Sequence, residues 1–329
     1  MDHRLEALKH WLDRVLEARE YSIRPASTDA SFRRYFRVRL NGRSYIAMDA
    51  PPDKEDSARY AEIARVFFDL GLNVPEIFHQ DPGAGFLLIS DLGEHLYLDR
   101  LNPDTVERLY GDALGALVVL QAGTFLRPGF LPDYGAERLL AEMMLFRDWY
   151  LERHLGLRLD AEQDAVLRGV FDRLVEQALE QPQVWVHRDY HSRNLMLTPT
   201  NNPGILDFQD AVRGPVTYDL VSLLRDCYIA WPRERVEDWA KGYQQLALQS
   251  GIPVCEDEDM FLQWFDWMGV QRHLKAVGIF ARLCHRDGKA GYLEDIPRTL
   301  AYAREVSRRH RELAPLAEFL DSLGPDGGP

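Results

Sequence analysis

The chain has 329 residues, of which 46% are hydrophobic, so it can bury a large core and is predicted to form two lobes. Its formal net charge of −13 argues against nucleic acid as a partner, because that binding depends on Lys and Arg side chains neutralising phosphates. Three cysteines, Cys227, Cys255 and Cys284, lie far apart without CxxC spacing, which indicates neither a disulfide framework nor a zinc knuckle and fits a reducing cytoplasm.

The N-terminal segment, MDHRLEALKHWLDRVLEAR, has the pattern of an amphipathic helix that carries both charge signs. It lacks the basic start, apolar centre and cleavage site of a signal peptide. The longest apolar stretch, near residues 113–122, is shorter than a helix that spans a bilayer. We therefore expect a cytoplasmic protein without a membrane segment. A monomer is a separate expectation, since the sequence does not fix the oligomeric state.

A β-hairpin is predicted after a first short strand and a polar turn over residues 27–31. Apolar and polar side chains alternate in FRRYFRVRL, residues 32–40. Asn41-Gly42 then turns the chain, and residues 43–50 return. Asn-Gly between two such runs is the strongest short-range signal for a hairpin.

The rest of the N-terminal lobe is predicted to be one helix, residues 56–70, and two strands, residues 77–80 and 86–90. The segment SDLG follows, with Asp91 and Leu92 at its centre. We interpret it as the hinge between the lobes.

This hinge sets the predicted domains, an N-lobe over residues 1–92 and a larger C-lobe over residues 93–329. Beyond it the apolar pattern changes to the period of a helix. Two helices of the C-lobe are predicted to begin at Asn102 and at Asp160. Five more are predicted over residues 135–156, 218–228, 233–250, 257–286 and 297–323.

Two short apolar runs in the C-lobe each end in a group of polar residues. VWV at 184–186 leads into HRD at 187–189, with Asn194 five residues beyond the aspartate. GIL at 204–206 leads into DFQ at 207–209. Order and spacing match the HRDLxxxN and DFG segments of protein kinases, with one substitution in each.

These donors suit phosphoryl transfer from ATP, which needs a carboxylate beside the acceptor hydroxyl and oxygen ligands for Mg²⁺. We predict Asp189 as the catalytic carboxylate, and Asn194 and Asp207 as the Mg²⁺ ligands. The turn at residues 199–203 is predicted to pair the two runs as one hairpin and so bring the three together. Asp219 is expected to hold the catalytic loop by hydrogen bonds. A single Asp or Asn after a strand indicates only a turn, so the ordered set carries the prediction.

The lysine that pairs the α- and β-phosphates in protein kinases is missing from the predicted hairpin. Met48 stands at its position, and no GxGxxG is present. The candidate substitutes are Ser31, Arg33, Arg34 and Lys54. Glu62 is the expected partner for a cation that reaches from the hairpin. The predicted nucleotide-binding residues are Ser31, Phe32 and Arg33 at the phosphates, and Asp91 and Leu92 at the adenine.

HRDYHSRN, ILDFQDA and PVTYDLVSLLRD together resemble the aminoglycoside phosphotransferase and choline kinase superfamily, whose loop has the form HxDxHxxN. His187, Asp189, His191 and Asn194 match that form. The resemblance implies an α+β, bilobal, protein-kinase-like fold with a small N-lobe of antiparallel sheet plus a helix and a larger, mainly helical C-lobe. It also implies ATP and Mg²⁺ as cofactors.

Residues 29–38, 91–93 and 271–289 resemble, more narrowly, the kinases of cell-wall recycling that phosphorylate the anomeric hydroxyl of N-acetylmuramate and N-acetylglucosamine. Only eleven residues lie between Asp207 and Asp219, and no APE follows, which leaves no room for the activation loop of a protein kinase, so a small-molecule acceptor is expected. This resemblance implies a sugar α-1-phosphate as product, in peptidoglycan recycling. The candidate sugar-binding residues are His191, Arg272 and Lys275.

Two other functions remain open. An aminoglycoside or amino-alcohol (choline-type) kinase would suit the acidic balance of the chain, because its substrate is a cation. A non-catalytic kinase-like binding protein would explain Met48 in place of lysine. We favour the enzyme because a base and both metal ligands occur together.

Overall fold

The computed structural model describes residues 2–27 and 32–324, with strands in the N-terminal third and helices dominating afterwards. The strands are β1 Ser22–Ser27, β2 Arg34–Leu40, β3 Arg43–Asp49, β4 Ile77–Asp81, β5 Phe86–Ser90, β6 Gln183–Val186, β7 Leu195–Met196, β8 Gly204–Ile205 and β9 Val212–Pro215. The α-helices are α1 His3–Val15, α2 Ser57–Asp69, α3 Val106–Leu126, α4 Ala136–Leu145, α5 Ala161–Glu180, α6 Tyr218–Leu224, α7 Arg233–Gln249, α8 Glu258–Asp287, α9 Ile296–Arg309 and α10 Ala314–Ser322. Shorter elements are a π-helix, Phe146–His154, and two 3₁₀ helices, Ala290–Asp295 and Arg311–Leu313.

The described chain divides into two compact units. The first contains the residues up to Asp112 together with Arg193–Asp210, and the second contains Ala113–Ser192 and the residues from Ala211 on. The lobe boundary at residue 92 rests on the hinge sequence and stays a prediction.

The first unit is built on a five-stranded antiparallel sheet with the order β1-β2-β3-β5-β4. Its β2–β3 hairpin turns at Asn41 and Gly42, whose φ angles are 50° and 76°. Positive φ at both central residues is the geometry of a tight two-residue hairpin turn. The hairpin prediction is therefore confirmed.

Helix α1 packs on this sheet through one apolar stripe. Leu8, Trp11 and Leu12 are buried in a cluster with side chains of β2, β3 and β5. Their spacing of three and four places them on one face of the helix. The Asp2 side chain accepts a hydrogen bond from the Leu5 N–H at 3.1 Å, which caps the helix. The predicted amphipathic helix is confirmed.

The two apolar runs of the catalytic motif do not pair with each other. Strand β8 pairs with β7 in the first unit, and β6 pairs with β9 in the second. The predicted hairpin between the runs is therefore wrong. Strand β7 has only two residues, too few to show a strand period in the sequence, and it lies much nearer to β8 along the chain than β6 does. The shorter loop costs less closure entropy.

The second unit is mainly helical, and its longest element is α8, with 30 residues. Close packing at one point requires Gly278, because a Cβ there would lie 2.3 Å from the carbonyl carbon of Leu145. This contact sets α8 directly against the junction of α4 with the π-helix. Arg272 and Lys275 lie on the buried middle part of α8.

Helix α3 begins later than predicted. Its first residue is Val106, whereas Asn102 was the predicted start. The Asn102 Oδ1 atom accepts hydrogen bonds from the backbone N–H groups of Asp104 and Thr105 at 2.9 and 3.2 Å. These bonds stabilise a separate turn before the helix.

Two other predicted helices are interrupted. Residues 135–156 form α4 and then the π-helix, and residues 297–323 form α9 and α10 with a 3₁₀ turn between them. Pro315 lies in the first turn of α10. Proline lacks the N–H that would continue a helix from α9, so a break there follows from its position. The capping box predicted at Asp160 is confirmed at the start of α5.

One helix of the described residues, α3, is long and apolar enough to cross a membrane by length and composition. It has 21 residues. The expectation that the longest apolar stretch, near residues 113–122, is too short for a membrane-spanning helix is therefore corrected. Half of its most apolar window is buried inside the protein. Core helices pass the same test, and the burial of α3 is that of a core helix.

Candidate active site

Asp207 follows β8 in the first unit and has an unusual backbone conformation. Its φ is 62°, in the left-handed region that costs a non-glycine residue roughly 1 kcal/mol or more. The Leu206 N–H donates to the Asn194 carbonyl oxygen at 2.9 Å, so Asn194 and Asp207 are held on neighbouring segments. Gln209 Nε2 donates to Asp207 Oδ1 at 2.8 Å. The structure therefore brings together the two predicted metal ligands.

Phe208 anchors this segment. Its side chain is fully buried, and its ring centroid lies 4.9 Å from that of Tyr60 and 5.7 Å from that of Phe67, both on α2. Aromatic pairs at these distances add about 0.5 to 1.5 kcal/mol each beyond the area they bury. The packing of Phe208 thus holds the unusual backbone of the residue before it.

Arg33 reaches the same place from the start of the hairpin. Its Nε lies 3.3 Å from Glu55 Oε2 and its Nη2 lies 3.4 Å from Asp207 Oδ1. The Arg33 side chain is only 8% exposed. Glu62, the partner expected from the sequence, instead pairs with Arg59 on its own helix. A cation is therefore present beside Asp207 although the hairpin carries no lysine there.

The other candidate substitutes for the lysine lie elsewhere. Ser31 lies outside the described residues. Arg34 pairs with Asp2 and with the buried Asp49, away from Asp207. Lys54 has its Nζ 5.9 Å from the centroid of the Phe32 ring, and Phe32 is 65% exposed. Of the three described candidates, Arg33 is the one that the structure places at Asp207.

The carboxylate of the predicted hinge residue Asp91 is engaged within the protein. Arg37 donates to it from Nε at 2.6 Å and from Nη2 at 3.0 Å, and the Gly93 N–H donates at 3.1 Å. Burial alone would raise the pKa of Asp91, but these donors lower it. Leu92 packs against β8, where a Cβ on Gly204 would lie 3.0 Å from its Cδ1. Both side chains therefore contact neighbouring residues of the first unit.

Asp189 belongs to a tightly held loop in the second unit. The loop begins where β6 ends, and Arg188 has a φ of 78°. The backbone N–H groups of His187 and Arg188 donate to the two carboxylate oxygens of Asp219, at 2.5 and 2.9 Å. Asp219 is fully buried, and burial raises its pKa to about 7. The expected role of Asp219 in holding the loop is confirmed.

Positive charge surrounds Asp189. Burial alone would raise the pKa of its carboxyl, but Lys275, His191, Arg188 and Arg272 together lower it to about 2. Asp189 is therefore ionised at neutral pH. The structure brings all three predicted sugar-binding residues into the electrostatic surroundings of this carboxylate.

One acidic side chain, Glu142 on α4, which is 12% exposed, pairs with two of these cations. It forms ion pairs with Arg188 and, at 3.1 Å, with Lys275, and it accepts a hydrogen bond from Tyr134. Lys275 also donates to the Tyr218 hydroxyl at 2.9 Å. Glu142 is not among the residues predicted from the sequence, because nothing in its local sequence distinguishes it from the other acidic residues of the chain.

Asp226 fixes the other end of the loop, and the sequence analysis missed this residue too. Its Oδ2 accepts a hydrogen bond from the Ser192 N–H at 2.9 Å, and its Oδ1 accepts one from the Tyr228 N–H at 3.0 Å. Asp226 lies seven residues after Asp219, beyond the end of α6 at Leu224. The helix predicted over residues 218–228 therefore ends four residues early.

Each unit thus contains one set of polar residues. The first has Asp207, Asn194 and Arg33, and the second has the ionised Asp189 on a loop held by hydrogen bonds.

The family model described as the phosphotransferase enzyme family matches residues 22–258. The chain belongs to this family. It is similar over 99% of its length to the N-acetylmuramate/N-acetylglucosamine kinase of Pseudomonas aeruginosa, with 47% identity and 98% of that protein covered.

Solved structures resemble the fold at low sequence identity. Choline kinase LicA from Streptococcus pneumoniae has a TM-score of 0.65 at 13% identity, with 92% of this chain and 100% of that chain covered. The ADP-bound aminoglycoside phosphotransferase APH(2'')-Ib has a TM-score of 0.59 at 17% identity, with 91% and 98% covered. These likenesses confirm the predicted α+β, protein-kinase-like fold. The family membership favours an enzyme over a non-catalytic binding protein.

Proposed function

We propose that the chain is an ATP- and Mg²⁺-dependent kinase that phosphorylates the anomeric hydroxyl of N-acetylmuramate and N-acetylglucosamine. The observation that carries the reaction type is the ionised, half-buried Asp189 on a loop fixed by Asp219. The name of the P. aeruginosa relative supports the acceptor. The product is the sugar α-1-phosphate, which suits peptidoglycan recycling in the cytoplasm. Three free cysteines support that reducing compartment.

Asp189 orients the acceptor. Its carboxylate accepts a hydrogen bond from the anomeric O–H and directs that oxygen at the γ-phosphorus. The bond from O1 to phosphorus forms while the bond from phosphorus to the β,γ-bridging oxygen breaks, and ADP leaves. Because the transition state is loose and the pKa of Asp189 is about 2, the proton moves to the carboxylate late. An anomeric hydroxyl is more acidic than other sugar hydroxyls, which makes this transfer easier.

Asn194 and Asp207 fit Mg²⁺. They supply one amide and one carboxylate oxygen on adjoining segments, and the Asp207 side chain is 32% exposed. Among the described residues no three His, Cys, Asp or Glu side chains form a metal cluster. One or two protein ligands, completed by water and phosphate oxygens, is the usual set for Mg²⁺. When bound, the ion neutralises charge that develops on the phosphates.

Arg33 is the proposed substitute for the missing lysine at the phosphates. Replacing it with alanine should raise the KM for ATP roughly tenfold or more, because hydrogen bonds to charged groups contribute about 1.5 to 3 kcal/mol. The measurement is steady-state kinetics with ATP varied at saturating Mg²⁺ and sugar.

Arg34→Ala is the matched control for this prediction. Arg34 is the next residue and also an arginine, but its partners are Asp2 and Asp49. Its loss should lower thermal stability and leave the KM for ATP nearly unchanged. If Arg33→Ala keeps the parent KM for ATP, then Lys54 or backbone amides bind the phosphates instead.

The backbone at Asp91 and Leu92 is the proposed adenine contact, because the Asp91 carboxylate is engaged by Arg37.

The acceptor atom can be tested directly. Incubation with ATP, Mg²⁺ and either sugar should give ADP and a phosphate on C1 with the α configuration. Phosphorus and carbon NMR of the product identifies both the carbon and the anomer. A phosphate on C6 would refute the anomeric assignment. Turnover of an aminoglycoside or of choline, without turnover of either sugar, would establish the alternative kinase instead.

A further inference from the structure

Arg272, Lys275 and Arg282 are three basic side chains of α8 that differ in what balances their charge. Lys275 pairs with Glu142 at 3.1 Å and donates to Tyr218. His273 is not a cation at neutral pH, because burial lowers its pKa to about 3, and its Nε2 lies 2.9 Å from the Arg225 carbonyl oxygen. The two remaining residues are Arg272 and Arg282.

Arg272 is buried without an ion-pair partner among the residues that the structure describes. It is 5% exposed, and its only hydrogen bond within the described residues runs from Nη1 to the Cys227 thiol at 3.7 Å. Its Nε has no hydrogen-bond partner in the described part of the chain. A thiol is a weak acceptor. The guanidinium is therefore nearly removed from water with little to replace its hydration.

The acidic groups near Arg272 act on its charge only from a distance. Burial lowers the pKa of Arg272, and Cys227, Tyr218, Asp189 and Asp226 raise it, yet neither aspartate forms an ion pair with it among the described contacts. Asp226 already accepts hydrogen bonds at both oxygens. Burying an unpaired charge is costly. A planar guanidinium with unused donors can bind both oxygens of a ligand carboxylate. Arg272 also acts electrostatically on Asp189, the residue that is proposed to orient the acceptor.

We propose that Arg272 binds the lactyl carboxylate of N-acetylmuramate and so determines the preference between the two sugars. This inference rests on the proposed function. N-acetylglucosamine has a hydroxyl where N-acetylmuramate carries the lactyl ether, so only N-acetylmuramate supplies the anion. Lys275 stabilises Glu142 rather than contacting this group, because its ammonium is already paired.

The test compares kcat/KM for both sugars in the parent and in Arg272→Gln. The ratio of N-acetylmuramate to N-acetylglucosamine should fall about tenfold to hundredfold, the equivalent of a charge-assisted hydrogen bond. The methyl ester of N-acetylmuramate keeps the lactyl shape without its charge. The parent should prefer the acid over the ester by a similar factor, and Arg272→Gln should lose that preference.

Arg282→Gln is the matched control, since Arg282 lies on the same helix and its Nε also has no hydrogen-bond partner in the described residues. It should keep the parent ratio. Equal losses for both sugars in Arg272→Gln would show a structural role and overturn the inference, as would a changed ratio in Arg282→Gln alone. If Arg272→Gln does not fold, Arg272→Lys keeps the charge without the fork and should lower the ratio by a smaller factor; an unchanged ratio there refutes the proposal. A parent that phosphorylates neither sugar refutes the proposed function itself.

Discussion

Replacing Asp189 with asparagine is expected to lower kcat by about 10²- to 10⁴-fold, the usual contribution of a general acid or base. The amide keeps the size of the side chain but cannot receive the acceptor proton. Affinity for ATP should change little, because Asp189 belongs to the acceptor side and the proposed nucleotide residues lie in the first unit. Rates of ADP formation and calorimetric titration with a non-hydrolysable ATP analogue measure the two quantities.

Asp189→Glu is a useful companion variant because it keeps the charge and moves it by one methylene. It should also lose turnover, since position as well as charge matters for catalysis. Circular dichroism and thermal melting establish that both variants fold. Near-parental kcat in Asp189→Asn would show that another group orients the acceptor.

The acid limb of the pH profile provides a second test of Asp189. Its pKa is lowered from an ordinary value of 3.8 to about 2 in the folded protein. The contribution of Asp189 to the free energy of unfolding is therefore present above pH 3.8 and is lost as the pH falls through 2. Activity between pH 5 and 8 should not depend on ionisation of Asp189. A fall in kcat near pH 5 that disappears only in Asp189→Asn would contradict the lowered pKa.

Replacing Asp207 with alanine is expected to lower kcat by about 10²- to 10³-fold, comparable to losing one electrostatic contact to the transition state. Asn194→Ala should be less damaging, because an amide ligand carries no charge. Raising the Mg²⁺ concentration should partly restore Asn194→Ala and should not restore Asp207→Ala. The measurement is kcat as a function of free Mg²⁺ for the parent and both variants.

Asp210→Ala is the matched control for the Mg²⁺ experiment. Asp210 is an exposed aspartate three residues after Asp207, so its loss removes the same charge from the same segment. It should keep the parental Mg²⁺ dependence. Equal Mg²⁺ dependence in the parent, Asn194→Ala and Asp207→Ala would refute the assignment of these two ligands.

Much of the local structure was predictable from the sequence because neighbouring residues encode it. The Asn41-Gly42 turn and the helix caps at Asp2 and Asp160 depend on contacts within a few residues. The ordered donors around Asp189 and Asp207 were also visible, since their spacing along the chain is itself the pattern. Very short elements such as β7 give no such signal, and the predicted pairing of the two motif strands failed for that reason.

Only the tertiary structure decided which distant residues are partners. Arg33 pairs with Glu55 rather than Glu62, and Lys275 pairs with Glu142, 133 positions away in the chain. The chain has 52 acidic residues, so charge alone does not identify the partner of a given cation. Burial determines which charges pair, because a charge removed from water is costly unless an opposite charge lies close to it. The same packing leaves Arg272 buried beside a thiol without an acidic partner among the described residues, and no local pattern in the sequence distinguishes it from the other cations of its helix.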